Sequence, residues 1–214
     1  RETLSKALSN QYEGLEISQS VSSNIEKLKD TKTFTVTTGH QLNIFTGPLY
    51  FIYKIATVVN ACKALKKAYP EYEFVPVYWM ASEDHDFDEI NHFYFENKKY
   101  QWETDQKGAV GRFDPSGLLD IANQLPEGAD LFKKAYSENT LADAARHYVN
   151  ALFGDEGIVV VDADDADLKR ILIPAIEDDL LQHSAEKLVA KDSAELEQLG
   201  FGVVVVALLE HRMH

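Results

Sequence analysis

The chain has 214 residues, 45% of them hydrophobic and 26% charged, which is ordinary globular composition for one domain or one and a half. Thirty-five acidic residues against 21 basic ones leave a formal net charge of −14, which repels a phosphate backbone and argues against a nucleic-acid partner. A single cysteine, Cys62, excludes a disulfide framework; no signal peptide or membrane-length apolar run is found, so no membrane partner and a reducing, cytoplasmic location are expected.

In chain order, the first thirty residues are polar, with apolar positions at Leu15, Ile17, Val21, Ile25 and Leu28. They read as an N-terminal helical segment (1–30) ahead of an α/β core (31–214). Phe34–Thr37 is a short β-type run ended by Gly39, and a loop from Gly39 to Gly47 follows it. Pro48 opens a strong helix, its fixed φ suiting the first helical position. Ile52, Ile55, Ala56, Val59 and Cys62 recur at helical spacing and face the core, which makes Cys62 a buried thiol rather than a nucleophile. Lys63, Lys66 and Lys67 favour the carbonyl end of that helix, and Pro70 stops it.

Phe74–Met80 is a second strand whose near-continuous apolar character implies burial on both faces. A proline is awkward inside a central strand, so Pro76 is expected near its start. After the acidic segment Ser82–Asn91, His92–Asn97 and Lys99–Thr104 read as short strands and Gly108–Gly117 as a loop. Leu141–Phe153 is helical, Gly157 turns into the strand Ile158–Val161, and Asp164 or Asp165 caps the next helix. Pro174 separates a short helix from a longer one, and Val203–Leu209 reads as a buried strand or core segment.

This order of elements is an α/β signature with a mostly parallel sheet and flanking helices. In such sheets ligands bind beyond the carboxyl ends of the strands, so the loops Gly39–Gly47, Ala81–Asn91 and Asp162–Asp165 are expected to converge.

Each loop carries candidate chemistry. His40 follows a strand and precedes a helix N-terminus, where amides near Gly47, Leu49 and Tyr50 would face an anion; the alternative is a turn histidine bonded to nearby backbone. Lys54 shares a helix face with Tyr50 and is the nearest cation to that loop. Neither a G-x-G-x-x-G nor a P-loop string is present. Glu83, Asp84, His85, Asp86, Asp88, Glu89 and His92 crowd carboxylates and imidazoles into ten residues, and like charges disfavour one another, so the segment is either solvated or a site. General acid–base work is one reading; a divalent metal on Asp84, His85, Asp86 and His92 is another. Asp88 and Glu89 read as exposed helix-start charges. Asp162 ends a strand where it would meet a hydroxyl, and Arg112 is a candidate anion contact with a surface salt bridge as its alternative. His147 and His183 lie in amphipathic helices and read as incidental.

The string Thr38–Tyr50 with Tyr53-Lys54 after it, and the string Val75–His92, resemble signatures of the cysteine-adding enzymes of bacillithiol biosynthesis; Val110-Gly111-Arg112 and Val159–Asp162 also fit. The likeness runs from about Thr37 to Leu181, and 203–214 resembles nothing placed. The resemblance implies a Rossmann-like core of the nucleotidyltransferase and class I synthetase type. It implies a carbon–nitrogen ligase joining cysteine to glucosaminyl malate through an amide, with ATP and Mg²⁺ as the natural activator. Members of that family are longer and carry a helical coiled coil that helps dimerisation, so this chain resembles an N-terminal portion of a protein expected to form a homodimer. His40, Asp84, His85 and Asp86 are then the expected catalytic residues. Gly39, Gln41, Thr46, Gly47, Tyr50, Lys54, Glu83, Asn91, Arg112 and Asp162 are expected to bind substrate or nucleotide, and no metal ligand is assigned. Two alternatives stand beside this: a metal-dependent hydrolase on Asp84, His85, Asp86 and His92, and a non-catalytic binding or assembly module.

Overall fold

A computed structural model of the chain describes residues 1–125 and 129–201. They divide into two compact units, one from Arg1 to Lys169 and one from Arg170 onward. The first unit is built on a three-stranded parallel sheet of β1 (Thr33–Gln41), β2 (Glu73–Ala81) and β5 (Val159–Asp162), with β2 in the centre. Helix α3 (Tyr50–Ala68) connects β1 to β2 and packs on both. It buries Phe51, Ile55, Val58, Val59 and Cys62; of the expected stripe Ile55, Val59 and Cys62 are buried while Ile52 and Ala56 are only half-buried, and Phe51 and Val58 complete the buried face. A fully buried apolar side chain of this kind stabilises by roughly 1.5–3 kcal/mol.

The N-terminal segment is two helices, α1 (Glu2–Gln11) and α2 (Gln19–Lys27), rather than one, because Tyr12-Glu13-Gly14 turns out of the first and Ser18 caps the second through Val21 N–H at 3.2 Å. Both helices pack on the sheet within the first unit. Ser18 Oγ donates to Gly154 O, Asn24 to Gly157 O, and the buried Tyr12 hydroxyl accepts Val160 N–H at 2.7 Å. Helix α7 (Leu141–Phe153) has its expected bounds and lies against β5; Val159, Val160 and Val161 are all buried, as a strand covered on both faces requires.

Several boundaries differ from the sequence expectation. β1 does not end before Gly39: the ladder continues through Gly39↔Trp79, His40↔Met80 and Gln41↔Ala81, because β2 offers nine consecutive partners and the loop begins only at Leu42. Helix α3 opens at Tyr50, two residues beyond Pro48, whose carbonyl accepts Phe51 N–H at 2.9 Å. Pro76 lies mid-strand, but pairing of β2 with β5 begins only at Val77, so the imide without N–H sits where one flank alone is paired. Trp79 is 42% exposed on a strand expected to be buried on both faces; Gly39 across the ladder offers no side chain to cover the indole.

The acidic segment turns into the short helix α4 (Phe87–Ile90), with Asp88 and Glu89 exposed in its first turn. It leads to an antiparallel hairpin of β3 (His92–Phe95) and β4 (Lys98–Gln101). Glu96 and Asn97, both at positive φ, make the two-residue turn that ends β3 before Asn97. Gly108–Gly117 holds two 3₁₀ turns, Val110–Arg112 and Pro115–Gly117, followed by α5 (Leu118–Ala122) and α6 (Asp130–Ala135). Helix α8 (Ala166–Arg170) starts under Asp165, whose Oδ1 accepts Asp167 and Leu168 N–H.

In the second unit, Pro174 occupies the first turn of α9 (Ile173–Gln182), and α10 (Ser184–Gln198) follows across a left-handed His183. Neither helix buries a residue. Val203–Leu209, read from the sequence as a buried strand or core segment, lies outside the described residues. Among the described residues no helix is long and apolar enough to cross a membrane.

Candidate active site

The three expected loops meet at the carboxyl ends of β1, β2 and β5. His40 Nδ1 lies 2.7 Å from Gln41 O; a carbonyl only accepts, so in the neutral ring Nδ1 carries the proton and Nε2 is the acceptor. Nε2 is buried and has no protein partner. The imidazole stands between the rings of Tyr50, at 5.0 Å, and Phe51, at 5.8 Å. Burial lowers its pKa below the usual 6.5, the hydrogen bond to Gln41 opposes that shift, and nearby Lys54 lowers it further.

Lys54 reaches back along α3 and donates to Gly39 O at 2.7 Å, its ammonium 5.7 Å from the Tyr50 ring. The loop between β1 and α3 is strained at Phe45 and Thr46, non-glycine residues at positive φ, and Gly47 continues the left-handed run without that cost. Only glycine serves at 47, where a Cβ would stand 2.7 Å from Asn43 Cβ and Cγ. The loop is pinned from below by two buried tyrosines. Phe45 N–H donates to Tyr136 Oη at 2.7 Å, and Tyr148 donates to Asn43 O at 3.0 Å. No side chain caps the first turn of α3.

In the acidic segment, Asp84 Oδ1 accepts His85 N–H at 2.7 Å and Asp86 N–H at 3.1 Å, a local turn that leaves the His85 and Asp86 side chains exposed. Glu83 is half-buried, and its Oε2 is buried without a protein partner. Gln41 bridges to the segment through Glu89 at 3.3 Å. Asn91 is buried and faces His92 Nδ1 at 2.9 Å. Among the described residues no group of three or more His, Cys, Asp or Glu side chains could hold a metal. Asp84, His85, Asp86 and His92 therefore do not assemble into the cluster that the hydrolase alternative needs.

The strand end of β5 is tied to the same place. Asp162 Oδ1 accepts the Ser82 hydroxyl and Asp164 N–H at 2.9 Å, while Gln11 Oε1 accepts Asp162 N–H. Asp164 binds Arg112 in a fork at 2.5 and 3.0 Å and also takes Lys169; the guanidinium beside it holds its carboxyl below the usual range. Arg112, expected as an anion contact, is thus the salt bridge of the alternative reading. Val110 N–H and Gly111 N–H donate to Asp84 O and Ser82 O, both at 2.8 Å. Gly111 is required for this approach, since a Cβ would fall 2.6 Å from Ser82 O.

Gln41, Glu89, Asp84, Arg112 and Asp162 are thus joined by hydrogen bonds among neighbouring turns. Sequence reading missed Ser82, Asp164's pairing role, Gln11 and Arg146. Arg146 did leave a signal: an arginine among Ala142, Ala145 and Val149 on the apolar face of α7.

The family model for the N-terminal Rossmann-like domain of the bacillithiol biosynthesis protein BshC matches residues 1–211. That is wider than the stretch from Thr37 to Leu181 in which a likeness was expected. Relatives from Flavobacterium psychrophilum (48% identical over 214 residues, 95% of this chain and 40% of the relative) and Flavobacterium johnsoniae (47% over 212 residues, 92% and 40%) are named "Putative cysteine ligase BshC". A relative from Staphylococcus carnosus with the same name is 31% identical over 227 residues, 94% of this chain and 41% of its own. The chain spans about two fifths of the length of these relatives.

Proposed function

This chain belongs to the bacillithiol biosynthesis BshC family, within its N-terminal Rossmann-like domain, and on that premise we propose that it carries the substrate site of a cysteine ligase. The observation that carries the reading is a pair of buried, unpartnered polar atoms, His40 Nε2 and Glu83 Oε2, at the strand ends where an α/β sheet takes its ligand. In the reaction, the amino nitrogen of glucosaminyl malate attacks the activated carboxyl carbon of cysteine; the C–N bond of the amide forms, the bond from that carbon to its activated oxygen breaks, the oxygen leaves with the activating group, and a proton leaves the nitrogen. His40, kept neutral by burial and with Nε2 as its acceptor, takes that proton. Glu83 and Asp84 hold the amino and hydroxyl groups of the sugar, with the exposed His85 and Asp86 side chains beside them for proton transfer.

A free carboxylic acid needs activation, which ATP with Mg²⁺ supplies when bound. The uncapped first turn of α3 and the left-handed residues before it fit an anionic group, so Thr46, Gly47 and Tyr50 would hold the phosphates beside Lys54. In the full-length family protein, this site works in a cytoplasmic homodimer.

The test is calorimetric titration of the chain with glucosaminyl malate, cysteine and ATP. Binding of glucosaminyl malate that weakens about tenfold or more in His40→Ala and in Asp86→Ala supports the reading. A folded chain that binds none of the three overturns it for these residues.

A further inference from the structure

Arg146 is the only buried side chain with a formal charge at neutral pH among the described residues, at 3% exposure. Its guanidinium reaches Asp143 at 2.9 Å and Asp162 at 3.7 Å and stands 5.8 Å from the Tyr12 ring, while Nε has no partner. Burying a cation so incompletely paired costs several kcal/mol, and an apolar residue of similar volume commonly does as well or better for stability. Its placement therefore asks for a reason other than stability.

That reason lies in what Asp162 holds. One carboxylate oxygen accepts both the Ser82 hydroxyl and Asp164 N–H, and the other faces Arg146. Ser82 and Asp84 carry the 3₁₀ turn of Arg112 on their carbonyls, and Asp164 grips the Arg112 side chain. Glu83 sits between Ser82 and Asp84. We infer that Arg146 is a positioning residue of the strand-end site: by orienting Asp162 it sets the two turns that hold Glu83 and the Arg112–Asp164 ion pair. The role rests on the ligase reading only for what the site binds. Arg146 itself touches no reacting atom.

The test measures amide hydrogen exchange by NMR in the chain and in Arg146→Met, Arg146→Lys and Ser82→Ala. Methionine fills the volume without charge, and lysine restores charge without the fork. In Arg146→Met, exchange at Val110, Gly111 and Asp164 should quicken about tenfold or more, with the β2 and β5 ladder amides within about twofold. Arg146→Lys should recover part of the protection. Ser82→Ala, which leaves the buried cation untouched, should loosen the same three amides. Unchanged exchange at those amides in Arg146→Met or in Ser82→Ala overturns the inference, as does a rise spread evenly over the whole chain. Glucosaminyl malate affinity should fall about tenfold in Arg146→Met, and equal affinity also overturns it. A wild-type chain that binds no glucosaminyl malate counts against the ligase reading alone, because the exchange experiment needs no ligand.

Discussion

Gly111→Ala is the sharpest perturbation of the site's frame. The new methyl would lie 2.5 Å from Ser82 Cβ, 2.6 Å from Ser82 O and 3.0 Å from Ser82 Cα. Two of these atoms are backbone, so no rotamer change relieves the clash and the Val110–Arg112 turn must move away. Overpacking of this kind costs about 1–3 kcal/mol. The displacement also loosens the hydrogen bonds from Gly111 N–H to Ser82 O and from Val110 N–H to Asp84 O, at about 1 kcal/mol each. The total is about 3–5 kcal/mol, which at a urea slope of about 2 kcal/mol/M lowers the unfolding midpoint by about 1.5–2.5 M. The assay is urea unfolding followed by far-UV circular dichroism, with Gly39→Ala as control. At Gly39 the nearest atoms would be 3.8 Å away, an ordinary contact, so that variant should match wild type or gain about 0.5 kcal/mol. A Gly111→Ala chain within about 0.5 kcal/mol of wild type would refute the clasp between the two turns.

Other outcomes test the rest of the frame. Tyr148→Phe leaves the Asn43 carbonyl without its buried donor and should cost about 1–2 kcal/mol, a fall of about 3–6 °C in melting temperature; an unchanged melt contradicts the role given to that bond. Burial pushes the Cys62 thiol up to about 11, so at pH 8 only about a thousandth is thiolate and the native chain should resist a thiol-disulfide reagent that labels it at once in denaturant. Rapid native labelling would contradict that burial. His40 has a folded pKa below its ordinary 6.5, so the unfolded chain binds the proton more readily. Its stabilising contribution is present above pH 6.5 and is lost as pH falls through 6.5 toward the lowered value. Urea titrations should therefore show wild type losing more stability than His40→Gln between pH 7.5 and 5, and an equal loss in both chains would refute the assignment.

Much of this architecture was legible before the fold. Hydrophobic spacing marked α3 and α7, apolar runs marked β2 and β5, and the order of elements implied a parallel sheet with its site at the strand ends. Residue type also marked His40 and the acidic segment. Pairing was not legible. Gly39, His40 and Gln41 look like loop because glycine and polar residues are poor strand formers, yet β2 supplies partners for all three. Arg112 carried two readings because its partner, Asp164, lies fifty-two residues away.

The sequence by itself determined the fold class, the family resemblance and the places where chemistry is concentrated, because these depend on local periodicity and on long, uncommon strings of residues. Only the tertiary structure decided which charges are spent on one another and which polar atoms stay open. It commits Arg112 and Lys169 to Asp164, seats Arg146 beneath Asp162, and leaves His40 Nε2 and Glu83 Oε2 without partners. A side chain's polarity is written in its residue type, but its burial and its partner depend on contacts between segments far apart in the chain, which no local pattern encodes.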